Sequence, residues 1–230
     1  MTYRLRITLL SCTVALAQAG STAAQFTSLP VTYSPNIDPR LWTIMVAGDI
    51  AVARKNTTDF RPLAARLVLN LGALSITAGA GVLYGTSEDN EFTLGGAIGY
   101  DLYASSPRKP TITVQAAVGH VRIGEGTAAI DRWDVPIGAA VSWYLPALDI
   151  NVEPWLAPRL HIRFVDTDIP DGGYETDFGP GASIGFKLTH AIGPGLHVAT
   201  DALWIDDPGG GGRRVEWVLS AGLHVKLAFP

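Results

Sequence analysis

The sequence predicts an all-β chain: a single antiparallel, transmembrane, up-and-down β-barrel of ten strands, with eight as the alternative count. Three observations carry that prediction. Apolar residues alternate with small or charged ones along ten segments, the pattern of strands whose two faces meet different surroundings. Residues that weaken helix interiors are abundant, 25 Gly and 15 Pro in 230 positions, which argues against a helical bundle. Aromatic residues gather towards both ends of the apolar face, whereas a two-sheet sandwich would bury them mid-strand.

Composition narrows the function classes. Charged residues make up 17% and apolar ones 47% of the chain, and mean hydropathy is positive at +0.22. Such a chain can build a core and is not disordered. A net charge of -4 provides no basic footprint for nucleic acid.

Residues 1–24 read as a signal peptide. Arg4 and Arg6 precede the apolar run Ile7 to Leu16, which gives way to small residues. Cleavage is expected after Ala24, or alternatively after Ala19. The sole cysteine, Cys12, leaves with this leader, so the mature chain has no disulfide framework. Leu9-Leu10-Ser11-Cys12 loosely resembles a lipid-attachment box, but the apolar run before Cys12 is short and continues past it. Residues 25–41 then form a periplasmic extension, and 42–230 the barrel.

The strands are expected at 43–54, 62–71, 74–84, 91–103, 111–123, 132–145, 149–164, 176–189, 195–205 and 214–229. The first sets Asp49 opposite the face of Trp42. The second and third arise from Leu67 to Gly85, which carries no charge in 19 positions and is long enough for a membrane-spanning helix. Its period-two alternation, with Leu67, Leu69 and Leu71 on one face and Leu74, Ile76, Ala78, Ala80, Val82 and Tyr84 on the next, favours two strands joined at Gly72-Ala73. The fourth opposes Phe92 and Tyr100 to Gly95, Gly99 and Asp101. In the fifth, His120 and Arg122 fall on the apolar side near a strand end, where long side chains can snorkel to an interface.

The sixth and seventh strands contain Pro136, Pro154 and Pro158, and the eighth Pro180. Each lacks a ladder donor, so broken pairing or bulges are expected there. Trp155 breaks the pattern by falling on the polar face. The last three strands are regular; in the tenth, Val215, Trp217, Leu219, Ala221, Leu223, Val225, Leu227 and Phe229 oppose Arg214, Glu216, Ser220, Gly222, His224 and Lys226.

Connectors sort into two classes. Those after odd strands (Asn56–Arg61, Gly85–Asn90, Gly124–Asp131, Val165–Glu175, Asp206–Arg213) are polar, acidic or glycine-rich. Those after even strands are generally shorter, as expected for extracellular loops and periplasmic turns. The aromatics agree: Tyr84, Phe92, Trp133, Phe164, Phe178, Trp204 and Trp217 lie by the long connectors, and Trp42, Tyr100, Trp143, Phe186 and Phe229 by the short ones. Two such belts suit the two interfaces of a bilayer.

On these residues the chain, over 42 to 229, resembles the small outer-membrane β-barrel proteins of diderm bacteria, the OmpA-, OmpX- and OmpW-like barrels. The last strand, Ser220-x-Gly222-x-x-Val225-x-Leu227-x-Phe229, is similar to the C-terminal signal read by the barrel-assembly machinery, although Pro230 follows the aromatic on which the family usually ends. Val152-Glu153-Pro154-Trp155-Leu156-Ala157-Pro158-Arg159 resembles a stretch in members to which no activity is attached. The resemblance implies an outer-membrane location with periplasmic termini, lipid and the assembly machinery as partners, a monomer, and no cofactor.

The enclosed face is the candidate site. Parity places on it Asp49, Arg66, Asp101, Asp134, Glu153, Arg159, His161, Arg163, Asp177, Lys187, His197, Asp201, Glu216, His224 and Lys226. The plain expectation is a network of ion pairs filling a narrow lumen. If the hairpin 149–189 closes symmetrically, Arg163 lies opposite Asp177, and pairing of the first and last strands brings His224 or Lys226 near Asp49. Inward glycines such as Gly79, Gly95, Gly181, Gly185 and Gly222 leave a slim water path as the alternative, a narrow pore for small solutes.

Two further classes are weighed. An outer-membrane hydrolase needs a nucleophile with a base and a carboxylate in reach; Ser183, His197 and Asp201 share the inward face but sit in no nucleophile motif, so no enzyme activity is expected. A secreted lipocalin-like barrel would turn the apolar face inward around a ligand. The acidic stretch Asp166 to Glu175 carries four acids beside Gly172-Gly173 but departs from a calcium loop in spacing and in Pro170, and Gly209 to Gly212 reads as a flexible turn.

Overall fold

The computed structural model describes residues 42–55, 58–84, 91–103, 110–123, 130–167, 175–206 and 213–229. The leader 1–24, the extension 25–41, most of the acidic stretch (168–174) and the glycine run 209–212 lie outside the described residues. The described residues form β1 (Trp42–Lys55), β2 (Thr58–Leu71), β3 (Leu74–Tyr84), β4 (Glu91–Tyr103), β5 (Pro110–Ile123), β6 (Ile130–Trp143), β7 (Leu145–Ala147), β8 (Ile150–Thr167), β9 (Glu175–His190), β10 (Pro194–Asp206) and β11 (Arg213–Phe229).

Every neighbouring pair is antiparallel, β1 pairs with both β2 and β11, and β6 pairs with β8. The sheet therefore closes on itself, and among the described residues no strand edge is left for another chain to pair with. The short β7 is no extra stave. It continues β6 against β8 in one register, Ser142 opposite Trp155 and then Leu145 opposite Val152. The chain is a closed ten-stranded antiparallel β-barrel. The eight-strand alternative fails because β1 and β2 pair from Trp42 with Leu71 to Lys55 with Thr58.

Leu67 to Tyr84 forms two strands, not a helix, and the turn between them falls at Gly72, whose φ of 69° lies where a Cβ would clash. Gly193, at φ 112°, serves the turn between β9 and β10, its N–H donating to His190 O at 2.8 Å.

The prolines act as expected, by interrupting ladders, but without shifting register. The β5–β6 pairing lapses opposite Pro136, between Ala116 with Ile137 and Gly119 with Asp134. On the β6 side of β8 it lapses around Pro158 and again around Pro154, where Tyr144 leaves the strand. The β9–β10 ladder ends at Gly181, one residue from Pro180. On their other sides Pro154, Pro158 and Pro180 are held in the continuous β8–β9 ladder, so one lost donor costs one bond and not the strand. The sole register shift recorded among the described ladders is at Asp101/Tyr103, between β4 and β5.

The connector pattern needs a correction. Asn56–Arg61 is not a long loop, because β2 begins at Thr58 and leaves only 56–57 between strands, and the connector 104–109 is as long as 85–90, 124–129 and 207–212 at the opposite end. Backbone pairing extends β1 and β2 beyond their apolar residues, which the alternation could not register.

The faces are as expected from the alternation. Val46, Ile50, Leu67, Leu94, Ile98, Val118, Ile137, Leu160, Ile184, Leu219 and Leu223 are exposed, Leu223 at 71%. Every long strand contributes to this apolar band, far beyond the scattered apolar residues normal on a soluble surface. Trp42, Tyr84, Phe92, Tyr100, Trp133, Trp143, Phe178, Phe186, Trp217 and Phe229 are exposed on the same face, and Phe164 and Trp204 are half-buried. The inward-apolar arrangement of a lipocalin-like barrel is thus reversed.

Candidate functional site

The enclosed face collects charge because each strand turns alternate side chains inward. Asp49, Arg66, Asp101, Asp134, Glu153, Arg159, His161, Arg163, Lys187, His197, Asp201, Glu216 and His224 are all buried. Asp177 and Lys226, placed on this face by parity, are only half-buried. They sit near opposite ends of the barrel, where the lumen meets solvent.

Nearest the long connectors, Asp134 on β6 accepts from Arg132 Nη2 at 2.6 Å, Arg163 Nε at 3.0 Å and His161 Nε2 at 2.5 Å. Arg163 Nη2 then donates to Glu216 Oε2 at 3.3 Å. Arg163 does lie opposite Asp177 in the β8–β9 register, yet its guanidinium is directed to Asp134 and Glu216. Arg132 is a residue the sequence reading missed. Its position two residues before Asp134 was the available signal, since both fall on one face.

At mid-height Arg159 on β8 is ion-paired with Asp201 on β10, and Trp155 clusters with Ala140, Ala157 and Ala199, all four buried. Towards the short connectors, Lys187 Nζ meets Glu153 Oε2 at 2.5 Å. Asp49 on β1 accepts from Arg66 Nε at 2.5 Å and Nη2 at 3.0 Å, and is bonded to His197 Nε2. His197 Nδ1 faces His224 Nδ1 at 3.4 Å, and His224 Nε2 is 3.0 Å from Thr189 Oγ1. The expected approach of His224 to Asp49 is therefore indirect: Asp49 stands opposite Gly222 in register, and His197, from β10, occupies the place between.

Inward glycines make room for these side chains and do not simply line a path. A Cβ at Gly222 would fall 2.5 Å from Asp49 Oδ1 and 2.6 Å from His197 Cε1, and at Gly181 3.3 Å from Arg159 Nε. One at Gly185 would run into Trp155, and one at Gly195 into His224. Long groups of one strand thus lie over the bare backbone of its neighbours.

The walls differ. The strands β3 to β5 turn mainly small or uncharged residues inward, including Thr77, Thr93, Ala97, Thr113 and Ala117, with Glu91 and Asp101 as the buried acids and Thr113 donating to Asp101 at 2.6 Å. Several buried atoms of the other wall have no protein partner: Arg159 Nε and Nη1, Asp201 Oδ1, Ser183 Oγ and Trp155 Nε1. Buried polar groups of this kind are served by internal water.

The hydrolase constellation is not assembled. Ser183 lies opposite Asp201, but His197 is opposite Lys187, four residues along β10, and is bonded to Asp49. Outside the lumen, His120 and Arg122 reach the same carboxylate, Asp131, at 2.9 and 2.8 Å, with His120 against Trp133 at a ring separation of 4.4 Å. Mutual pairing beside the exposed Trp133 explains how three polar groups sit on the apolar side. Among the described residues no group of three metal-ligating side chains converges.

No family model matches the sequence, and no curated protein matches it. Several solved structures are similar to the chain. The translocator domain of the autotransporter NalP from Neisseria meningitidis is 13% identical, with 98% of this chain and 95% of that one covered at a TM-score of 0.45. Neisserial surface protein A is 16% identical, covering 81% and 97%, at 0.40. The outer membrane protease OmpT from Escherichia coli is 9% identical, covering 86% and 100%, at 0.40. The closed sheet and its two faces rest on the chain's own register and burial.

Proposed function

We propose that the chain is an integral outer-membrane barrel protein with periplasmic termini, whose lumen is braced by paired charges and works as a structural support, not as an open pore. The observation that carries this is the inversion of faces, an apolar band outside every long strand and a buried ionic network within. Only a bilayer lets a barrel of this kind hide its greasy side. Trp155 and the Arg163–Glu216 bridge, which spans strands that are not neighbours, support the filled-lumen reading. Lipid is the surrounding partner, and the strand 220–229 is the segment offered to the barrel-assembly machinery.

Planar-bilayer reconstitution tests the role: no stable unitary current steps are expected, and regular steps overturn it in favour of a narrow pore along the small-residue wall of β3 to β5. Membrane insertion is tested separately, by extraction that requires detergent and by heat-modifiable gel mobility. Recovery as a soluble periplasmic protein overturns that part.

A further inference from the structure

We infer that His197 and His224 form a binding site for a zinc-class transition-metal ion inside the short-connector half of the lumen. The two imidazoles come from adjacent strands, β10 and β11, and both are buried. Their Nδ1 atoms face each other at 3.4 Å, with ring centroids 5.6 Å apart. That separation is long for a hydrogen bond between nitrogens, which is best near ~3 Å. It matches the roughly 3.3–3.4 Å that separates two nitrogens bound at about 2.0–2.1 Å to one tetrahedral zinc ion.

The far nitrogen of each ring is already committed. A carboxylate only accepts, so His197 Nε2 donates to Asp49, and Arg66 Nη2, at 3.3 Å from the same nitrogen, is served by Asp49 Oδ1 at 3.0 Å. In the neutral imidazole, the form that binds a metal, this leaves the His197 lone pair on Nδ1. His224 Nε2 is 3.0 Å from Thr189 Oγ1, a hydroxyl that can accept as well as donate; in the tautomer in which it accepts, the His224 Nδ1 lone pair is released. A carboxylate or hydroxyl behind each imidazole is the arrangement that orients and strengthens histidine ligands to metals.

Charge and space are consistent with an ion. Arg66 is neutralised by Asp49 and Lys187 by Glu153, so the entering cation meets two imidazoles and not two bare cations. Gly195 and Gly222 leave the rings the room that any Cβ would take. Imidazole nitrogen selects zinc, copper or nickel over magnesium or calcium. Two protein ligands leave further positions for water or a solute donor.

The test is titration of the full barrel, folded in detergent, with zinc in competition with a chromophoric chelator. One zinc per barrel is expected, with calcium unable to compete. His197→Ala and His224→Ala should each weaken binding at least tenfold, and Thr189→Val less, whereas His120→Ala and His190→Ala leave it unchanged. Heat-modifiable mobility identifies the variants that still fold, and His224→Asn serves if the alanine variant does not. X-ray absorption of the loaded protein should show two imidazoles at about 2.0 Å from the metal. Zinc binding that survives the double His197→Ala/His224→Ala variant, or a folded wild-type barrel that takes up no zinc, overturns the inference.

Discussion

Arg163 and Glu216 meet across the lumen, Nη2 to Oε2 at 3.3 Å, although β9 and β10 stand between their strands. The same guanidinium holds Asp134 on β6, so one side chain ties three parts of the ring together. On the proposed reading, cross-links of this kind brace the interior.

Loss of the carboxylate at the centre of that cluster should be costly. Asp134→Ala leaves Arg132, Arg163 and His161 without their common partner, and stripping one partner from a buried ionic group costs about 3–5 kcal/mol. Urea unfolding in detergent should show it. Asp177→Ala, at the half-buried mouth, should change stability by less than about 1 kcal/mol.

Depth along the apolar band gives a second expectation. Leu67→Arg places a cation mid-strand on the exposed face of β2, and a basic residue at the midplane of a lipid-facing barrel surface costs about 2–4 kcal/mol. Tyr84→Arg, at the end of β3, should cost about 0–1 kcal/mol. Equal penalties at the two sites, measured by equilibrium folding into vesicles, would contradict the membrane placement.

Gly185 tests the close packing of the lumen. Its added Cβ would meet the Trp155 ring, Val198 O at 2.6 Å and Ala199 Cβ at 2.8 Å. Gly185→Val should destabilise by about 1–3 kcal/mol through overpacking. Adding Trp155→Ala should restore only part of the loss, because the Val198 carbonyl stays. Melting of folded-band mobility measures both.

If Trp155 helps to fill the lumen as proposed, Trp155→Ala alone should open it. The side chain is 2% exposed among Ala140, Ala157 and Ala199, and its removal leaves a void beside polar atoms able to bind water. A rise in the uptake of a small neutral solute by reconstituted vesicles, relative to wild type, is expected. Unchanged uptake would show that other side chains close the passage.

The sequence by itself determined which residues face out and which are enclosed, because alternation is a local property of each strand: Leu219 and Leu223 are exposed and Ser220 and His224 buried, as their positions require. It also determined the hairpin register that sets Arg163 opposite Asp177. It did not determine which charges meet. Only ring closure and the stagger between strands brought Glu216 to Arg163, His197 to Asp49 and Arg159 to Asp201, contacts between residues far apart in the chain for which period two carries no information. The interruption at Tyr144 and the early start of β2 likewise belong to backbone pairing, which a side-chain pattern does not record.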